Sequence, residues 1–199
     1  QKYHGAVACA LGWACWKTYV GRPETDWALR DAMNGVGNGL ATAKHHEEAL
    51  SVIEAELSMR QRLCDPGDII LAVQGNIANL YQSLGRMEEA MSMRQEIYSG
   101  RLELFGEEHW TTIIAALNYA GSLNTLQRFK EARSLLRKTV PVARRVLGDT
   151  HECALRIRSL YAEAFYMDDG ATLDGLREAV TTLEDVERTA RRVLGGAHP

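Results

Sequence analysis

The four cysteines, Cys9, Cys15, Cys64 and Cys153, include no CxxC pair, and their spacing frames neither a zinc site nor a disulfide scaffold. They read as reduced, mostly buried small hydrophobes, which places the chain in an intracellular, reducing compartment, cytoplasm or organelle stroma or matrix. Charge of one sign is also absent. With 23 basic side chains against 26 acidic ones the net charge is -3, so no global field draws in nucleic acid or an acidic membrane. Long apolar runs are missing as well: "AVACALGWAC" (6–15) is too short for a direct membrane span and has Lys17 close behind it. No Ser/His/Asp ordering, HExxH or isolated carboxylate pair is present. No catalytic, cofactor-binding or metal residue is therefore assigned, and the chain is not read as an enzyme. What remains is 199 residues, 46% of them apolar, enough to bury a real core. Without an opening Met, a processed or partly ordered fragment is expected.

"LFGEEHW" (104–110) has the residue types of a reactive patch, but its frame returns as "VLGDTHE" (146–152) and "VLGGAHP" (193–199), each with histidine three residues after glycine. It is punctuation in a repeat. Residues 75–109 align with 117–151 at a period of 42, with Asn76 over Asn118, Ala78 over Ala120, Ala90 over Ala132, Gly106 over Gly148 and His109 over His151. Backwards, Glu48-Ala49 stands 41 residues before Glu89-Ala90, with Asp65 in the place of Gly106. Forwards, Ala179 follows Ala132 by 47, which puts five extra residues within "MDDGATLDG". The boundaries follow: 1–24 a lone helix, the second half of a preceding repeat; then repeats at 25–67, 68–108, 109–150 and 151–199, all one solenoid domain.

Each repeat carries two helical periodicities joined at a short break such as Gly85-Arg86. Acidic residues open the second helix (Glu47-Glu48, Glu88-Glu89, Glu131) and arginines close it (Arg60, Arg62, Arg144, Arg145, Arg191, Arg192), the order that the helix dipole favours. These arginines need no nucleic acid to explain them. Alanine recurs where two helices cross closely, since a small side chain lets the backbones approach. One hairpin cannot bury its apolar face alone, so neighbours stack.

"NIANLYQSLGRMEEAM" (76–91), "LNYAGSLNTLQRFKEAR" (117–133) and the Gly-x-x-His closures resemble the tetratricopeptide repeat family, in its 42-residue, kinesin-light-chain-like variety. The resemblance implies an all-α, right-handed α-solenoid of stacked helical hairpins, a superhelix whose first helices line a concave groove. It implies a non-catalytic protein-protein interaction scaffold that binds protein or peptide, a structural or adaptor subunit of a hetero-complex. The alternative is a cargo- or peptide-binding regulatory module excised from a multidomain protein. The groove positions carried over include Asn34, Asn38, Asn79, Gln82, Ser83, Gly121, Asn124, Arg156, Glu163 and Tyr166. They are mostly small, polar and uncharged. Relatives that grip acidic chaperone tails set lysines and arginines beside groove asparagines, and those basic residues are missing here.

Other motifs are weighed against packing. The three repeated histidines stand about one repeat apart, too far to share a metal ion, and are expected to pack loops or enter helices; His45-His46 is expected in solvent. "GVGNG" (35–39) lacks the strand and spacing of a dinucleotide loop. Three glycines inside a helix cost about 1 kcal/mol each, and close packing of the preceding Trp-rich helix is expected to offset that; the functional alternative is a flat binding surface. "DDGATLDG" (168–175) lacks calcium-ligand spacing and is read as an enlarged loop with Thr172 or Asp174 capping the last helix. A kink is expected near Pro141. Trp13, Trp16 and Tyr19 lie on a first helix nearly devoid of charge, which is expected to be an assembly surface.

Overall fold

The structure, a computed structural model, describes residues 4–195. Among them are nine helices and no strand: α1 (His4–Tyr19), α2 (Trp27–Thr42), α3 (His46–Arg62), α4 (Gly67–Ser83), α5 (Met87–Phe105), α6 (Trp110–Thr125), α7 (Phe129–Leu147), α8 (Glu152–Tyr166) and α9 (Leu173–Gly195). After α1 they pair as antiparallel hairpins, so the fold is an all-α helical solenoid. The chain forms two compact units, one up to Met93 and one from Arg94 onward.

The hairpin turns repeat one device. Lys44, Gly85 and Gln127 each take a left-handed backbone conformation (φ 66, 76 and 58°), and the next residue donates back across the helix end: His45 N–H to Leu40 O, Arg86 N–H to Tyr81 O, Arg128 N–H to Leu123 O, at 2.9, 2.8 and 2.8 Å. This double closure satisfies the last carbonyls of each first helix and turns the chain within three residues. Between hairpins the left-handed residue is Gly106 or Gly148 in the second unit and Cys64 after α3.

In the first unit Val36, Leu40, Ala49, Leu50, Ile53, Val73, Ile77 and Leu80 form the core shared by α2, α3 and α4. In the second, Ile113, Ala120, Leu123, Ala132, Leu136, Ile157 and Ala162 are almost wholly buried. The recurring alanines, Ala49, Ala120, Ala132 and Ala162, are 0% exposed. A larger side chain at these crossings would push the helices apart.

The α1/α2 crossing is tighter still. A Cβ placed on Gly39 would stand 2.7 Å from Ala8 O and 2.9 Å from Cys9 Cα, and one on Gly12 would stand 2.7 Å from Gly35 O. Gly37 is filled by Ile53, while the Cβ direction of Gly35 is open. Backbone packed on backbone is thus the compensation expected for "GVGNG", at Gly39 directly and at Gly35 through its carbonyl. Pro141 sits on the exposed side of α7, which continues unbroken through it.

Candidate protein-interaction surfaces

His109 and His151 act at helix entries. Each is the N-cap of the following first helix, with Nδ1 accepting from Thr111 N–H at 3.3 Å and from Cys153 N–H at 3.1 Å. His109 also stacks on Phe105, ring centres 4.6 Å apart. His198 lies outside the described residues. Thr172 Oγ1 accepts from Gly175 N–H at 3.2 Å and caps α9. His45 is exposed, but His46 departs from the solvent reading: it is half-buried, with Nδ1 closed off from water. The first turn of α3 lies against α2, so its leading side chain is partly covered by its own hairpin. Among the described residues no three His, Cys, Asp or Glu side chains converge to hold a metal ion.

Among the positions expected to line a groove in the first unit, Asn38 Nδ2 donates to Asn34 Oδ1 at 2.7 Å and Asn34 Nδ2 donates to Glu56 Oε2 at 3.2 Å. Glu56 is wholly buried on α3, and its other oxygen accepts from Arg60 Nε at 2.7 Å. Arg60 and Arg30 then hold the two oxygens of Asp65, both at 3.0 Å, and Arg60 lies 3.6 Å from the exposed Asp31. Burial pushes the Glu56 carboxyl above the ordinary glutamate value, against the bonds from Arg60 and Asn34 that favour its charge. Sequence reasoning missed this network and read Arg60 as a dipole-complementing end charge. The signal was available: Ala49, Ile53, Glu56 and Arg60 recur at core spacing, so an acid and a base four apart occupy a face that is otherwise apolar. On α4, Asn79, Gln82 and Ser83 are exposed, with Ser83 Oγ turned back to Asn79 O.

In the second unit the candidates diverge. Asn124 is only 7% exposed, and its Nδ2 donates to Leu160 O at 3.0 Å, so it ties α6 to α8 and its amide is not presented to a partner. Gly121 is half-buried, its Cβ direction facing Leu160 of α8. Arg156 and Tyr166 are exposed and Glu163 is half-buried. Arg133 donates to Ala164 O at 2.6 Å, pairs with Asp168 at 2.8 Å and covers the Phe165 ring. That bond holds the Asp168 carboxyl below the ordinary aspartate value. The enlarged α8–α9 loop is therefore clamped to α7.

On α1, Cys9, Gly12 and Trp16 face α2, whereas Val7, Leu11 and Trp13 are 54, 62 and 44% exposed, as is Val20 just past its end (54%). Trp13 and Trp16 wall an open apolar slot of about 340 Å³ with Met33, Val36, Val52 and Ala55. Tyr19 is half-buried under the Arg22 guanidinium, 4.9 Å from its ring centre. Among the described residues no helix is long and apolar enough to cross a membrane.

Stacked hairpins that bury their recurring alanines at the helix crossings define a helical-repeat protein of the interaction-scaffold class. Tetratricopeptide repeat models match residues 70–111 and 111–170, together half of the chain. The chain belongs to the tetratricopeptide repeat family, with repeats of the kinesin-light-chain-like kind, a fold that is generally non-catalytic. Among solved structures, a candidate kinesin light chain of Podosopora anserina with nearly identical TPR-like repeats matches at 17% identity, covering 95% of this chain and 86% of that one, TM-score 0.74. A point-substituted form of that protein matches at 16% identity over 96% and 86%, TM-score 0.76. BtubC (BKLC) from P. vanneervenii matches at 16% identity over 98% and 92%, TM-score 0.61. At such identities the likeness is one of fold. No curated protein sequence matches significantly.

Proposed function

We propose that this chain is a non-catalytic structural or adaptor subunit of a hetero-complex, docked to a protein neighbour through α1. The observation that carries this reading is the apolar exposure of α1, where Val7, Leu11 and Trp13 are exposed and Trp13 and Trp16 wall the open slot. A helix that exposes large apolar side chains on more than one side favours a lasting protein contact over water. Lys17 is the one charged side chain described on α1, which suits neither a nucleic acid backbone nor an anionic membrane. The chain's four cysteines are unpaired and, contrary to the expectation of burial, Cys15 and Cys64 are exposed and Cys9 and Cys153 half-buried, which suits a reducing intracellular compartment. Crosslinking mass spectrometry on the chain at native abundance tests the reading. Links from Lys17 to one stoichiometric polypeptide are expected; a free chain, or many substoichiometric partners with no link near α1, would refute it.

A further inference from the structure

We infer that the buried Glu56 fixes the hydrogen-bonding direction of the groove face of α2, making it an acceptor surface for a polypeptide segment that presents N–H donors, cationic side chains foremost. The inference rests on the scaffold reading above and names the kind of partner that this face takes.

An ionised carboxylate only accepts hydrogen bonds, and an asparagine amide both donates and accepts. Glu56 takes Arg60 Nε on one oxygen and Asn34 Nδ2 on the other. Asn34 must therefore turn its NH2 inward and its Oδ1 toward Asn38, which fills that oxygen with an N–H at 2.7 Å. Asn38 in turn has its amide oriented by the two groups behind it. Its Oδ1 points away from the relay on an exposed residue, and no described residue donates to it. Two turns before Asn38, and one before Asn34, stands Asp31, its side chain 66% exposed. Three carboxylates, Asp31, Glu56 and Asp65, meet two guanidiniums, Arg30 and Arg60, so the cluster keeps one net negative charge. The outward groups are thus a carboxylate and a carbonyl oxygen, both acceptors. A partner that offers carboxylates here meets like charge and unpaired oxygens.

The relay is particular to this hairpin. In the repeat frame the places of Asn34 and Glu56 are taken by Gly75 and Ile97 in the next hairpin, and by Leu117 and Thr139 in the one after it. A buried acid that neither fills a cavity nor caps a helix is costly unless it is bonded. Its orientation of the groove amides gives that cost a function.

Glu56→Gln tests the polarity with little change of shape. Arg60 Nε still needs an acceptor, so the carbonyl of the substituted amide stays on it and the NH2 turns to Asn34. Asn34 and then Asn38 must rotate, and Asn38 now presents NH2 outward. In the free wild-type chain, NMR of the Asn38 side-chain amide is expected to show one proton protected from water exchange, and Glu56→Gln is expected to shift both Asn amides. Titration with an acetylated Lys-Ser hexapeptide is expected to move the Asn38 amide of the wild type, with about tenfold weaker binding in Glu56→Gln, the worth of one lost hydrogen bond. The matching Glu-Ser hexapeptide should not move it. Asp31→Asn removes the same charge without touching the relay and should weaken the Lys peptide while leaving the free-state amide pattern intact. If Glu56→Gln fails to fold, Asn34→Ala cuts the relay on the half-buried side and should abolish the Asn38 protection. Unprotected Asn38 protons in the wild type, unmoved Asn amides in Glu56→Gln, or equal binding of the Glu peptide at this face would each overturn the inference. The free-state amide reading needs no partner, so its failure leaves the scaffold reading standing, and a failed crosslink leaves this one standing.

Discussion

Adding the same methyl group at Gly35 and at Gly39, one turn apart on one helix, should change stability in opposite directions. Alanine gains about 1 kcal/mol over glycine in a helix interior, and at Gly35, whose Cβ direction is open, that gain is realised. At Gly39 the new carbon falls 2.7 Å from Ala8 O and 2.9 Å from Cys9 Cα, where carbon contacts settle at about 3.5–4.0 Å. Neither neighbour is the end of a flexible side chain, so α1 itself has to retreat by roughly 1 Å. Overpacking of this kind costs about 1–3 kcal/mol, which outweighs the helix gain. The helix gain is common to both, so Gly39→Ala is expected to be about 1–3 kcal/mol less stable than Gly35→Ala, a separation of roughly 2–12 °C in melting temperature for a chain of this length. Gly12→Ala, with its Cβ 2.7 Å from Gly35 O, should behave like Gly39→Ala. Because a repeat array opens locally as well as globally, hydrogen exchange across α1 and α2 is the more direct assay: faster exchange in α1 for Gly39→Ala, slower in α2 for Gly35→Ala. Equal stabilisation by both substitutions would refute the backbone-on-backbone account of the crossing.

His151→Ala removes the N-cap of α8 and should cost about 1 kcal/mol in urea unfolding, while His151→Asn restores an acceptor and recovers most of it; equal loss in both would remove capping as the reason for the Gly-x-x-His closure. Asp185→Ala leaves the buried Arg158 guanidinium without its carboxylate and should cost about 2–3 kcal/mol, below the usual range for a buried pair because Asp185 is half-exposed. Arg158→Met with Asp185→Leu should recover most of that in a double-mutant cycle. The Glu56 carboxyl titrates above its ordinary value in the folded chain. Its stability penalty is therefore present above the folded value and lost as pH falls toward about 4.3, so the wild type should gain on Glu56→Gln between neutral pH and that point. Asp26, Glu89, Glu131, Asp149 and Asp168 are held low by their arginines, so their stabilisation is lost at still lower pH. Urea midpoints from about pH 7 to about pH 3 read both effects, and a pH-independent difference between wild type and Glu56→Gln would contradict the first.

The repeat itself was written in the chain because its physics is local and periodic. Alanine at a helix crossing and a glycine three places before the histidine that caps the next helix are each set by neighbours in sequence, so Ala49, Ala90 and Ala132 mark the hairpins without any tertiary information. The tight "GVGNG" crossing was half legible: glycine in a helix demands compensation, but only the structure shows which of the three glycines faces a backbone, which faces Ile53 and which faces open space. The groove was least legible. Register carries Gln82 and Asn124 over to the same position, yet Gln82 is exposed while Asn124 is buried against Leu160, because exposure depends on what the next helix covers. Glu56 makes the same point from inside the core: the chain places an acid at a core spacing, and whether Arg60, Asn34 and Asp65 come round to meet it is decided by the crossing of α2 and α3 and by the turn after α3. Periodicity determined which faces turn inward, and tertiary packing decided which polar atoms on those faces find partners, since hydrogen bonds between helices depend on ångström-scale crossings that no spacing in the chain records.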